Sequence, residues 1–259
     1  MSKHILWIQI IALLTLTGYT DFAFGNEIKR KFFHPSALIS FQNSKTELKE
    51  IYLKGEHRET LHCGCTFDDL LQVSSNICAH SPQSFATQTA SKEFVEWVHA
   101  MPLHEIGEKL KCRAEKSCST ATAPQNSERP CCNQVSPKFK IIQADMHNIF
   151  PSIRTSPNPA LTHANLPFGG MEEYRLCAAN DTALPLPHIR GDLARAYFYT
   201  SIQYRIPISA ELENDLRTWH YQDPPDAWEE KRNTLIETVQ GNRNPFIDQP
   251  ELAERVKDF

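Results

Sequence analysis

The chain has 259 residues, with 27 Lys and Arg against 31 Asp and Glu and a net charge of -4. That length buries a substantial core without help from metal ions or crosslinks, and it allows one large domain or two small ones. The acidic balance excludes a globally basic surface of the kind that coats a polyanion, so any contact with nucleic acid has to be local.

Lys3 and His4 form a short basic start before the apolar run 5–16, and Ala23-Phe24-Gly25 fits the small-x-small rule for cleavage. Residues 1–25 are therefore read as a signal peptide and residues 26–259 as one mature domain. The apolar run is too short to span a bilayer comfortably, and no other stretch is a candidate, so no membrane association is expected after cleavage. Export to an oxidising space, periplasmic or extracellular, fits the 8 cysteines: Cys63, Cys65, Cys78, Cys112, Cys118, Cys131, Cys132 and Cys177.

Ser44 and Glu47 have the spacing of a capping box and predict a helix start. Residues 61–67 read as a short, cysteine-bearing strand. Phe94 to Val98 is rich in β-formers and predicts a strand that ends near His99. Residues 112–132 have no apolar period and hold four cysteines, which predicts a loop pinned by disulfides. Residues 145–150 are expected to be helical before Pro151, and residues 152–170 irregular. The C-terminal third is helical. Ile189, Leu193, Tyr197 and Tyr204 share one face, and Leu212, Leu216 and Trp219 another. Asp226 caps a third helix, with Glu229 three residues on, Trp228, Leu235 and Val239 facing inward, and Gly241 ending it. With strands early and helices late, the expected fold is a mostly helical α+β domain around a small sheet.

Two segments stand out, VEWVHAMP at 95–102 and DMHNIFPS at 145–152. Alone, His99 reads equally as a core histidine and Asn148 as a turn or cap residue. Together, a histidine at a strand end and an asparagine on a following helix suit phosphodiester hydrolysis. A neutral imidazole takes a proton from water, a hydrated divalent ion neutralises developing charge, and an arginine clamps the phosphate. Lys109, Lys111, Arg113 and Lys116 cluster, with Arg129, Lys138 and Lys140 after them. Such a cluster is either a solvated face or a phosphate-contacting patch.

These segments resemble the signature of the endonuclease I family, periplasmic or extracellular nucleases with a ββα-metal (His-Me) finger. Cys63-Gly64-Cys65, the run from Arg190 to Arg195, Trp228-Glu229 with Arg232-Asn233, and the run from Val239 to Ile247 agree with it, so that the resemblance covers residues 32–247. It implies that His99 is the general base, that Asn148 is a magnesium ligand, and that Arg129 stabilises the phosphate. Manganese or calcium would substitute for magnesium. The implied substrate is DNA, contacted through its backbone without sequence specificity by Lys109, Lys111 and Arg113, with RNA left open; the implied state is a monomer.

The chain departs from the family at Val98, which stands where the family carries a glutamate that binds the metal. Glu96, on the same side of the strand, and Asp145, on the same helix face as Asn148, are the candidate replacements, directly or through water. The plainer alternatives are a surface glutamate and a helix-start carboxylate. Three functions remain: an exported metal-dependent endonuclease, a catalytically impaired nucleic-acid-binding protein on the same fold, or an exported disulfide protein with a structural or inhibitory role, which has no need of the His99 and Asn148 pair. The family pattern accounts for Cys63, Cys65, Cys78, Cys112, Cys132 and Cys177; Cys118 and Cys131 are extra and are able to pair with each other. A zinc site at Cys63-Gly64-Cys65 and Cys131-Cys132 is the competing reading, although the spacings are not those of zinc knuckles.

Overall fold

A computed structural model describes residues 40–78, 93–112, 129–153 and 185–259, all within the unit Pro35–Phe259. The expected signal segment, Arg113, Cys118 and Cys177 lie outside the described residues. Helix α1 (Phe41–Lys54) starts earlier than Ser44 suggests, because Ser40 is its cap and accepts from Asn43 N at 3.2 Å. Ser44 instead lies buried in the first turn, its hydroxyl donating to the Ala144 carbonyl at 2.6 Å. A tertiary partner, not a cap, explains that serine.

Four antiparallel strands follow in the order β1 (Cys65–Phe67), β2 (Gln72–Cys78), β3 (Glu93–His99) and β4 (Ile149–Ile153). Only the end of the expected 61–67 strand is extended. Residues before it turn, with Leu61 N donating to Pro151 O at 2.9 Å and Gly64 at φ 58. The Cys65–Cys78 disulfide crosses β1 and β2 at directly opposed positions. Cys63 is also disulfide-bonded, so neither sulfur of Cys63-Gly64-Cys65 is a thiolate for zinc.

Helices α2 (Leu103–Lys109), α3 (Arg129–Val135) and α4 (Pro137–Ala144) stand between β3 and β4. The Cys112–Cys132 disulfide ties the end of α2 to α3. The expected loop 112–132 therefore ends in a helix that begins at Arg129. Residues 145–150 are not the helix that was expected. The helix there is α4, capped by Ser136 and opened by Pro137, and it ends where Asp145 turns extended at ψ 115. One 3-10 turn, Met146–Asn148, leads into β4, whose five residues are all buried. Pro151 is tolerated because β4 is an edge strand, with β3 the only strand beside it among the described residues.

The C-terminal helices follow the local signals: α5 (Arg190–Tyr204), α6 (Ala210–Gln222) and α7 (Ala227–Gln240), then α8 (Pro245–Asp248) and α9 (Leu252–Arg255). Asp226 and Glu229 form the expected capping box on α7, and Gly241 ends it at φ 88. Buried in α5, Arg195 is ion-paired with Glu229 and Asp192. A core of Leu48, Ile51 and Tyr52 from α1, Val95 and Trp97 from β3, Met146, Ile149, and Ile236 from α7 packs under the β3–β4 pair. The fold is the expected α+β class, mostly helical around a small sheet. Among the described residues, no helix is long and apolar enough to cross a membrane.

Candidate active site

The β3–β4 register brings the two singled-out segments side by side. His99 stands opposite Ile149, and Ala100 N donates to Asn148 O at 2.9 Å. The His99 ring is 4% exposed and lies 5.1 Å from the Phe41 ring of α1. Its Nε2 is 2.8 Å from the carbonyl oxygen of Gln143, in the last turn of α4. A carbonyl only accepts, so Nε2 carries the proton, and Nδ1 holds the lone pair of the neutral ring.

Asn148 is fully buried and clasps one backbone unit from both sides. Its Oδ1 accepts from Met101 N at 2.8 Å, and its Nδ2 donates to Met101 O at 3.1 Å. The clasp fastens the 3-10 turn to the residue two places after His99. The carbonyl-type Oδ1 keeps a second lone pair.

Val95 and Trp97 face the core, so strand alternation turns Glu96 and Val98 to the other side of β3. Val98 is 6% exposed and stands opposite Phe150. Glu96 stands opposite Ser152, and its Oε2 is buried without a hydrogen-bond partner among the described residues. Asp145 has the opposite character. Its Oδ1 accepts from His147 N at 2.9 Å and Gln240 Nε2 at 2.8 Å, and its Oδ2 accepts from Tyr199 OH at 2.7 Å and from Tyr204 OH. Four donors use up the acceptor sites of one carboxylate. Asp145 anchors the turn and has no site left for a cation.

Arg129 opens α3, but its side chain lies outside the described residues, as does all of Arg113. Lys109 and Lys111 are exposed at and just beyond the end of α2. Burial depresses the His147 pKa to about 4, against an ordinary 6.5, and its Nε2 donates to Asn242 O at 3.1 Å. Burial, reinforced by the Asp145 charge, pushes the Tyr199 and Tyr204 phenols well above their ordinary value, which keeps them as donors.

Gln143 and Met101 were missed by sequence reasoning because they act through backbone atoms, which leave no side-chain signature. Arg232 and Gln240 lie within the segments that resemble the family. Arg232 Nη2 donates to Met146 O at 2.7 Å and Ile149 O at 2.6 Å, and Gln240 Oε1 accepts from Met146 N at 2.8 Å. Polar residues on the inward side of an amphipathic helix were the available signal.

No group of three or more His, Cys, Asp and Glu suited to a metal ion occurs among the described residues. Among the described residues, Asn148 Oδ1 keeps a lone pair and Glu96 Oε2 has no hydrogen-bond partner. Their backbones stand four register positions apart, roughly 13 Å at about 3.3 Å per residue. That span is too long for comfortable direct bonding of one ion by both.

A sequence profile described as Endonuclease I matches residues 38–251. The chain is 30% identical over 228 residues to an extracellular deoxyribonuclease of Aeromonas hydrophila, covering 83% of this chain and 90% of that protein. It is 29% identical over 219 residues to a periplasmic deoxyribonuclease of the same organism, covering 81% and 85%. It is 32% identical over 135 residues to an extracellular ribonuclease of Bacillus amyloliquefaciens, covering 43% and 46%. The profile match spans α1, the His99 strand, the Asn148 turn and α7, and the chain belongs to the endonuclease I family of nucleases.

Proposed function

We propose that this protein is an exported endonuclease that hydrolyses the phosphodiester backbone of DNA without sequence preference, with His99 as general base beside a magnesium ion. The observation that carries the reading is the 2.8 Å contact between His99 Nε2 and Gln143 O. It holds the ring in one tautomer, gives Nδ1 the lone pair that takes a proton from water, and steadies the imidazolium that results. Asn148 would hold the cation directly, with Glu96 reaching it through water. A bound divalent ion neutralises charge developing on the phosphate and the leaving oxygen, and manganese or calcium would substitute for magnesium. Arg129 is assigned to the phosphate. Lys109, Lys111 and Arg113 are assigned to backbone contacts that carry no base information and weaken with salt. The names of the Aeromonas relatives favour DNA and an extracellular or periplasmic location, and that of the Bacillus relative keeps RNA as a second substrate. The disulfides and the segment 1–25 agree with export, and the exported chain is read as a monomer free of the membrane.

A metal-titrated plasmid-nicking assay on the mature chain tests this. Nicking should vanish with EDTA and fall on the order of a hundredfold or more in His99→Ala. Cutting by His99→Ala at the parent rate would overturn the mechanism.

The second reading is a catalytically impaired nucleic-acid-binding protein on the same fold. It is favoured by the apolar, buried Val98 and by the engagement of both ends of the Asn148 carboxamide. Retention of DNA in a gel shift, with no cleavage in excess magnesium or manganese, would select it.

A further inference from the structure

We infer that Arg232 is a positioning residue for catalysis, a clamp on α7 that sets where the Asn148 turn sits against the strand end carrying His99. The inference rests on the nuclease reading above.

The two buried guanidinium groups of the C-terminal helices differ in kind. Arg195 is neutralised by Glu229 and Asp192. Arg232 is 4% exposed and has no carboxylate ion pair among the described residues. Burying a charge without a counter-ion is costly, so the contacts it makes in exchange are informative. Its Nη2 donates to Met146 O and Ile149 O, the carbonyls on either side of the His147-Asn148 pair, and its guanidinium lies 4.4 Å from the centre of the Phe150 ring. A charged donor that spans both ends of a one-turn 3-10 helix fixes that turn's position as well as its shape.

Two helical turns further along α7, Gln240 completes the grip. Its Oε1 accepts from Met146 N, and its Nε2 donates to Asp145 Oδ1 at 2.8 Å. On the far side of the turn, Asn148 O accepts from Ala100 N, and the Asn148 side chain takes both backbone groups of Met101. An unbroken series of hydrogen bonds thus leads from Arg232 through the turn to the two residues that follow His99. Lys109 and Lys111, the described residues assigned to phosphate, are not part of it. Releasing the clamp should therefore misplace Asn148 relative to His99 and lower kcat, while binding of DNA is spared.

The test compares Arg232→Met and Arg232→Lys in the mature protein, measuring kcat and KM for plasmid DNA and amide hydrogen exchange along β3. Arg232→Met should lose about tenfold or more in kcat with KM within about twofold of the parent. The amides of Ala100 and Met101 should exchange faster while those of Val95 and Trp97 do not, and Arg232→Lys should recover part of the loss. A parent-like kcat in Arg232→Met would overturn the clamp. So would a loss accompanied by uniformly faster exchange along β3, which marks general loosening. Should Arg232→Met fail to fold, Arg232→Lys decides: a several-fold lower kcat with selective exchange at Ala100 and Met101 supports the clamp, and parent behaviour refutes it. His99→Ala measured alongside separates the two ideas. Parent-rate cutting by His99→Ala removes the general-base reading, while the exchange data still judge the clamp.

Discussion

The Nε2 atom of His99 meets the carbonyl oxygen of Gln143 at 2.8 Å, so a backbone group of α4 chooses which ring nitrogen of the histidine bears the proton. A side chain that keeps the donor and lacks the base separates structure from chemistry. His99→Gln should melt close to the parent, because its amide still donates to Gln143 O. Its nicking rate should fall on the order of a hundredfold or more. Retained nicking in His99→Gln would assign the base elsewhere.

Val98 is buried where the resemblance to the family implies a carboxylate. Val98→Glu should lower stability by about 1–3 kcal/mol in EDTA, because an unpaired carboxylate loses water there. Magnesium should raise the melting temperature of Val98→Glu more than that of the parent, and nicking should increase. Melting curves of Val98→Glu that ignore magnesium would count against a metal site at this strand end.

Asp145 accepts from four donors supplied by α5, α7 and its own turn. Asp145→Asn replaces an acceptor oxygen with an NH2 group that faces donors. The expected loss is about 2–4 kcal/mol, read from the urea midpoint. The loss should be the same with and without magnesium, and a loss that appears in magnesium alone would restore Asp145 as a metal ligand.

His147 supplies a pH dependence whose sign is determined. Burial lowers its pKa to about 4 from 6.5, so the fold prefers the neutral ring. Its contribution is complete above about pH 6.5 and is lost as the pH falls through about 4. This one group should account for about 3 kcal/mol of acid destabilisation across that window. His147→Gln, with an amide able to donate to Asn242 O, should flatten urea stability between those pH values. An unchanged slope would mean that other groups dominate the acid limb.

The three C-terminal helices and the strand ending at His99 were legible because their signals are local. Asp226 with Glu229, Gly241, and the β-formers of Phe94 to Val98 each act within a few residues. The turn and strand at Met146 to Ile153 were not legible. A short apolar run does not declare itself helix or strand by periodicity, and the choice was made by pairing with β3. Ser44 misled because its hydroxyl serves Ala144, 100 residues away, while Ser40 does the capping.

By itself, then, the sequence determined both ends of α7, the strand that delivers His99, and the motifs that place the chain in its family, because capping, propensity and residue identity are properties of neighbouring residues. Only the tertiary structure decided that Asp145 is an anchor, that Gln143 orients the histidine, and that Arg232 and Gln240 grip the Asn148 turn. Those roles belong to backbone carbonyls and to partners 83 to 95 residues distant, as between Arg232 and Ile149 or Gln240 and Asp145. Such groups acquire a chemical identity only when folding brings them within hydrogen-bond reach.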